Sequence, residues 1–166
     1  MSEFENEMDE KKLPAGINVL TILSFIGSGI GILSGIWSYF KSAENLTKME
    51  EMVSKPEFEK MPDFVKKMYS PESLELYRKL DANKLPIIVL TIIAAGLCVY
   101  GAIEMRKLKK SGFYTYAIGE LLPFVGYLIF VGTGFFATGF SAYIGIGICA
   151  LFIILYATQL KYLINK

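Results

Sequence analysis

Residues 121–160 read LLPFVGYLIFVGTGFFATGFSAYIGIGICALFIILYATQL, forty residues in a row without a charged side chain. A helix rises 1.5 Å per residue and needs roughly 20 apolar residues to cross about 30 Å of hydrocarbon, so this stretch is long enough for two crossings. The glycine-rich segment 132–139, GTGFFATG, interrupts it near the middle. We therefore predict two membrane spans, at 113–131 and 140–160, joined by a short turn.

Two further apolar segments precede this stretch. Residues 13–40 carry no charge, and the aromatic residues Trp37, Tyr39 and Phe40 close the segment as expected at a membrane interface. These features predict a first span at 17–39, and a second apolar run predicts a span at 85–105. The predicted fold is an all-α membrane protein, in which residues 1–166 form a single integral domain built as a bundle of four transmembrane helices.

A polar insert, residues 41–84, separates the first two spans. It contains nine basic and nine acidic side chains, and Pro56, Pro62 and Pro71 divide it into short pieces. Apolar residues recur at helical spacing within each piece, which predicts amphipathic helices on the membrane surface or folded over the bundle.

The orientation of the bundle is predicted from the distribution of positive charge. Four basic residues lie within five positions between spans two and three, and the loop between spans three and four has none; the four are Arg106, Lys107, Lys109 and Lys110. Cytoplasmic loops of membrane proteins are enriched in such residues. Both termini are therefore predicted to be cytoplasmic and the insert to be extracytoplasmic, and the basic residues near the termini agree: Lys11, Lys12, Lys161 and Lys166.

The composition excludes several classes of function. Seventeen basic and sixteen acidic side chains nearly cancel, so no basic surface for nucleic acid is predicted. The chain has no histidine, the commonest catalytic base and metal ligand, and its two cysteines lie singly in apolar runs. Phosphate-binding loops, paired metal-ligand cysteines and nucleophile elbows are not found in the sequence. We predict a non-enzymatic protein without a metal or cofactor.

Glu120 is the one ionisable acid or base well inside a predicted span. It lies eight residues from Gly112, roughly 12 Å along the helix axis, where a charged carboxylate is costly. Tyr116, Pro123 and Tyr127 lie on or near its helix face, and Pro123 frees a backbone carbonyl beside it. Glu120 is predicted either to bind a proton or cation or to form a structural ion pair with Arg106 or Lys107.

Small residues recur at helical spacing on two predicted spans. Gly27, Gly31 and Gly35 follow one another every four residues, and Ser141 and Gly145 repeat the spacing on the last span. Such faces let another helix approach closely. The partner helix is predicted to come either from the same chain or from a second copy or another membrane protein.

The segment GAIEMRKLKKSGFY, residues 101–114, joins a glycine-bearing helix end, a lysine-rich turn and an aromatic helix start. It resembles a segment of small four-span bacterial membrane proteins whose function is uncharacterised. The resemblance implies a location in the inner, cytoplasmic membrane and implies no activity.

Two functions are expected from these features. The first is an accessory or interaction subunit of a membrane complex, which would use the small-residue faces and the insert to bind a partner in the lipid bilayer. The alternative is a small homo-oligomeric transporter or channel, coupled to protons or cations, that uses Glu120.

Overall fold

The structure is a computed structural model that describes residues 13–138 and 140–164, without the side chains at 67, 68, 137, 138, 140 and 141. Within these residues the chain is helical and contains no strand. The α-helices in chain order are α1 Ala15–Ser54, α2 Asp63–Met68, α3 Pro71–Ala82, α4 Lys84–Arg106, α5 Ser111–Phe130, α6 Gly134–Thr138 and α7 Phe140–Gln159. Short 3-10 helices occupy Pro56–Lys60 and Leu160–Tyr162.

Four of these helices, α1, α4, α5 and α7, are long and apolar enough to cross a membrane. The predicted all-helical fold with four such helices is therefore confirmed. The predicted break between the last two spans falls where α5 ends, and Gly132 there adopts a positive φ of 87° that a side chain would disfavour. The last residue of the predicted glycine-rich break, Gly139, lies outside the described residues.

Helix α1 is much longer than the predicted span. It has 40 residues, or about 60 Å of length, and continues past the expected end at Lys41 as far as Ser54. A lysine ends an apolar run without ending a helix, and Glu44 pairs with both Lys41 and Lys48 one turn to either side. Hydrogen bonds and attraction from these two lysines lower the pKa of Glu44 to about 2. The helix stops only before Pro56, since a residue that precedes proline avoids the helical conformation.

Helix α3 folds back along this extension of α1. Its first turn is fixed by Ser70, whose hydroxyl oxygen accepts a hydrogen bond from the Ser73 backbone N–H at 3.2 Å, and by Pro71 at the first helical position. Arg78 on α3 then forms an ion pair with Glu50 on α1, with 2.8 Å between Nη2 and Oε1. The insert is thus anchored on the end of α1.

Helices α4 and α5 form the tightest contact of the fold. A methyl group added at Gly101 would lie 2.6 Å from the Gly112 carbonyl oxygen, and one added at Gly119 would lie 2.9 Å from the Ala94 carbonyl oxygen. Glycine at these positions lets the two backbones touch, as small residues do between membrane helices. These glycines were not among the predicted packing residues, although Gly112 and Gly119 are two helical turns apart on one face.

The end of the bundle that carries the α4–α5 turn is closed. A cluster of buried side chains fills it: Ile17, Leu20, Cys98, Met105, Tyr116, Tyr156 and Leu163. The chain then returns to the turn after α7, where the Ile164 N–H donates to the Leu108 carbonyl oxygen at 2.7 Å.

The four basic residues of this turn have different environments. Arg106 reaches α1, where its Nη1 donates to Asn18 Oδ1 and to Thr21 Oγ1, each at 3.0 Å. Lys107 and Lys109 both pair with Glu104, at 3.3 and 2.8 Å. The backbone N–H of Lys110 donates to the Ile164 carbonyl oxygen. Of the predicted basic termini, Lys11, Lys12 and Lys166 lie outside the described residues.

Candidate functional site

Glu120 lies midway along α5, and its carboxylate accepts a short hydrogen bond. The donor is the hydroxyl of Tyr116, one turn earlier on the same helix, at 2.6 Å from Oε1. Tyr116 is 1% exposed, whereas Glu120 is half-buried. One carboxylate oxygen is therefore hydrogen-bonded to a buried phenol, and the rest of the group faces the space beside it.

A chain of hydroxyl groups continues from Tyr116 across the bundle. Ser24 on α1 donates to the Tyr116 hydroxyl at 3.2 Å, and its Oγ lies 2.8 Å from the hydroxyl of Tyr156 on α7. Because the Ser24 proton is used toward Tyr116, Tyr156 must be the donor to Ser24. The rings of Tyr116 and Tyr156 pack with centroids 4.6 Å apart. All three protons thus point toward Glu120, as a carboxylate acceptor requires.

No ion pair with Glu120 forms among residues 13–138 and 140–164. The predicted partners are engaged elsewhere, because Arg106 bonds Asn18 and Thr21 while Lys107 bonds Glu104. The structural alternative, in which one of these two cations neutralises Glu120, is therefore not observed.

The other predicted neighbours of Glu120 separate into two groups. Pro123 lines the same cavity as Glu120 and, having no N–H, leaves the Gly119 carbonyl without its helical donor. Tyr127 lies further along α5, where its ring stacks on Phe135 with centroids 4.2 Å apart, and it lines a different cavity. Of the predicted set, Tyr116, Glu120 and Pro123 are brought together, and Tyr127 is not.

A cavity of about 250 Å³, the inner cavity, lies beside Glu120 between α1, α4, α5 and α7. Its wall is mainly apolar, with Leu23, Ile148 and Phe152 among the lining residues, and the polar groups set into it include Ser24, Ser28, Thr91 and Glu120. Two thiols also face this region, with Cys98 Sγ 3.9 Å from the Tyr116 carbonyl oxygen and Cys149 Sγ 3.9 Å from that of Glu120.

Of the predicted packing glycines of α1, Gly27 and Gly31 line the inner cavity and Gly35 does not. A methyl group added at Gly27 or Gly31 would meet no atom of the described chain within 4 Å, whereas one at Gly35 would lie 3.0 Å from Ile88 on α4. Within the described chain the predicted helix contact is therefore present at Gly35 and not at Gly27 or Gly31, where a helix from a second copy or another membrane protein stays a prediction. On α7, a methyl group at Gly145 would make an ordinary 3.9 Å contact with Phe124, and the side chain of Ser141 lies outside the described part of the chain.

A second cavity, of about 410 Å³, lies next to the first and is called here the outer cavity. The two share Gly31 and Thr91, and the outer cavity is lined further along α1 by Ser34, Ser38 and Asn45. Most of its polar groups are hydroxyls and amides rather than charges. These polar groups, set in a mainly apolar wall, continue the series of hydroxyls from the inner cavity toward α3.

A pair of opposite charges lies at the far end of the outer cavity. Lys84 lines this end and pairs with Asp81 at 3.0 Å. Hydrogen bonds from Lys84 and Ser42 lower the pKa of Asp81, so the carboxylate stays charged through the physiological range. The end of the cavity carries little net charge as a result.

Several hydroxyls of α1 have no hydrogen-bond partner within the described chain. They belong to Ser28, Ser34 and Ser38, which line the two cavities. In hydrocarbon each unsatisfied hydroxyl costs free energy, on the order of several kcal/mol. Water or a polar ligand is the partner that these cavities can offer.

The site also includes Ser24 and Tyr156, which the sequence analysis did not predict to be site residues. Ser24 lies about one turn before the glycine series of α1, and Tyr156 lies in an apolar run of α7. A signal for Tyr156 was available, since a tyrosine within a membrane span needs a partner for its hydroxyl. The identity of that partner depends on how three helices meet.

The described residues contain no cluster of histidine, cysteine, aspartate or glutamate able to hold a metal ion. The polar groups at the site are the Glu120 carboxylate, the connected hydroxyls of Tyr116, Ser24 and Tyr156, and the hydroxyls that line the inner cavity. Comparisons with protein-family models, curated proteins and solved structures each found no match, and the site is interpreted from its own geometry.

Proposed function

We propose that this chain is a multi-pass membrane protein that moves protons or small monovalent cations through binding at Glu120, without catalysing a covalent reaction. The observation that carries the proposal is the Glu120 carboxylate, which borders a cavity midway along an apolar helix and has a hydroxyl, not a cation, as its partner. Ionisable groups in such positions commonly mark ion pathways and proton relays.

Energetics support a role for Glu120 beyond packing. Placing an acidic side chain at the centre of a membrane helix costs about 2.5–3.5 kcal/mol on insertion scales. The Tyr116 hydroxyl offsets part of that cost, since hydrogen bonds to charged groups contribute about 1.5–3 kcal/mol. Carboxylate and hydroxyl oxygens are also hard ligands of the kind that suit protons and small cations.

The proposal places the four apolar helices across the bacterial inner membrane, with both termini cytoplasmic and α2 and α3 outside. The basic turn supports this orientation because Arg106 and Lys110 have no acidic partner among the described residues, although Glu104 offsets Lys107 and Lys109. The length of α1 supports a crossing, although not its direction, since its 40 residues exceed the roughly 20 that span the hydrocarbon and the part beyond Lys41 would extend past it.

Cysteine labelling tests the orientation. In a background without Cys98 and Cys149, a membrane-impermeant thiol reagent added outside intact cells should label Ser54→Cys and leave Ser111→Cys unlabelled, because both side chains are exposed at opposite ends of the bundle. After cell lysis both positions should react, which is the control for reactivity. Labelling of Ser111→Cys alone in intact cells would reverse the proposed orientation.

Reconstitution tests the transport function itself. The purified protein in liposomes should dissipate a proton, sodium or potassium gradient faster than protein-free vesicles of the same lipid, since Glu120 supplies a binding site within the membrane. A pH-sensitive dye inside the vesicles measures the proton flux, and a sodium-selective and a potassium-selective dye measure the two cation fluxes. Protein that dissipates none of the three gradients would contradict the proposal.

An accessory role in a membrane complex is the second candidate. It is supported by Gly27 and Gly31, whose small surface no helix of the described chain covers. A helix from a second copy or from another membrane protein fits there without a clash. Light scattering in detergent measures the mass of the purified particle, and a particle that contains one chain and no companion would argue against this role.

A further inference from the structure

We infer that the outer cavity is a hydrated access route to Glu120, so that the site exchanges protons or cations with the side of the membrane that carries α2 and α3 and is closed toward the basic turn. This inference rests on the proposed function and adds to it the direction from which the carboxylate is reached.

The two cavities form a continuous surface along the α1–α4 interface. On α4, Ile88 and Thr91 line the outer cavity, and Thr91, Ala94 and Cys98 line the inner one in the next turns toward the basic end. Gly31 makes the same connection on α1. Because α4 begins beside α3 and ends at the basic turn, this order runs from the α3 side of the bundle down to Glu120.

The hydroxyl groups along this surface favour water over hydrocarbon. Ser28, Ser34 and Ser38 extend through almost three turns of α1, and none of their hydroxyls has a partner within the described chain. In a dry route each hydroxyl could bond only the carbonyl one turn earlier on α1, whereas a water-filled route gives all three a partner outside their own helix. Water that reaches Ser28 also reaches the inner cavity, because Ser28 and Glu120 line the same space.

Access from the basic-turn side is blocked between the basic turn and the hydroxyl chain of Tyr116, Ser24 and Tyr156. Ile17, Met105 and Tyr156 are each 0% exposed, and the backbones of α4 and α5 touch at Gly101 and Gly112. Beyond this layer the Arg106 guanidinium covers the first turns of α1, where its positive charge opposes the approach of a cation. The charges at the outer end, Lys84 and Asp81, compensate each other and present no such barrier.

Cysteine accessibility at matched depths tests the route. Thiolate is the reactive form of cysteine and persists only where water stabilises its charge. In the background without Cys98 and Cys149, Ser34→Cys should react with a charged methanethiosulfonate, and its neighbour Leu33→Cys, which is 69% exposed but lines neither cavity, should react at least about tenfold more slowly. Ser28→Cys should react faster than the exposed Ile30→Cys by a similar factor.

The side of reagent addition provides the decisive comparison. In vesicles of known orientation, fixed by the labelling of Ser54→Cys, reagent on the α3 side should modify Ser28→Cys and Ser34→Cys, and reagent on the basic-turn side should modify neither. Equal rates for Ser34→Cys and Leu33→Cys, or modification of Ser28→Cys from the basic-turn side, would overturn the inference.

The outcomes separate this inference from the proposed function. Gradient dissipation together with an unreactive Ser28→Cys would contradict the access route and leave the transport function standing. Reactive Ser28→Cys and Ser34→Cys in a protein that dissipates no gradient would contradict the transport function and leave a hydrated cavity. A far-ultraviolet circular dichroism spectrum with unchanged helix content establishes that each variant is folded before its reactivity is compared.

Discussion

Replacing Glu120 by glutamine is expected to reduce gradient dissipation in liposomes to the level of protein-free vesicles. Glutamine keeps the shape of the side chain and an oxygen that accepts the hydrogen bond from Tyr116, so the hydroxyl chain is preserved. What is lost is the group that takes up a proton or pairs with a cation. The measurement is the dye-detected flux described above, at equal protein content in each vesicle preparation.

Glu104→Gln is the matched control, because it makes the same chemical change at a second carboxylate, on a different helix. Glu104 pairs with Lys107 and Lys109 at the turn and borders neither cavity. This variant should keep the flux even though its turn is weakened. Glu120→Gln protein that retains the full wild-type flux would show that the carboxylate is not the transport site.

The number and position of the long helices were predictable because the bilayer sets a length and the sequence carries apolar runs of that length. Predicted spans at 85–105 and 140–160 coincide with helices Lys84–Arg106 and Phe140–Gln159 to within about one residue at each end. The end of α1 was not predictable in this way. A span ends where charge begins, but a helix ends where its hydrogen bonding ends, and Glu44 between two lysines continues the helix well past Lys41.

Only the part of the candidate site that lies on one helix, α5, could be predicted from the sequence. Glu120 was visible as a lone charge in an apolar run, and Tyr116 followed from the spacing of one turn. Ser24 and Tyr156 join the site from two other helices, and their distances to Tyr116 depend on the rotation of each helix about its axis. Spacing within a single helix contains no information about that rotation, so these contacts had to come from the structure.

The helix contacts made by glycines were likewise only partly predictable from spacing within one helix. Spacing of four on α1 predicted a close contact, and the contact exists at Gly35 but not at Gly27 or Gly31. The tightest approach instead involves Gly101 of α4 and Gly112 of α5, on two helices joined by a short turn. A short connection favours close antiparallel neighbours, whereas a small-residue face alone does not identify its partner.

Substitution of Gly101 by alanine is therefore expected to cause the largest loss of stability of any single added methyl group on α4. Its Cβ would lie 2.6 Å from both the Gly112 carbonyl oxygen and the Tyr116 N–H nitrogen, far inside van der Waals contact. These are backbone atoms, so relief requires α4 and α5 to move apart. Overpacking of this kind costs about 1–3 kcal/mol in free energy of unfolding. Unfolding in mixed detergent micelles with increasing dodecyl sulfate, followed by circular dichroism, measures the difference.

Gly96→Ala provides the comparison on the same helix, because a methyl group there meets no atom of the described chain within 4 Å. Alanine is a better helix former than glycine by roughly 0.5–1 kcal/mol, so this variant should be as stable as the wild type or slightly more so. The two variants add the same methyl group to the same helix and differ only in the atoms that this group contacts. If Gly101→Ala lowers the free energy of unfolding and Gly96→Ala does not, the loss of stability is due to the contact between α4 and α5. A Gly101→Ala protein as stable as Gly96→Ala would mean that the two backbones do not touch. In that case Tyr116, whose position is fixed by this contact, would not be held where it can donate to Glu120.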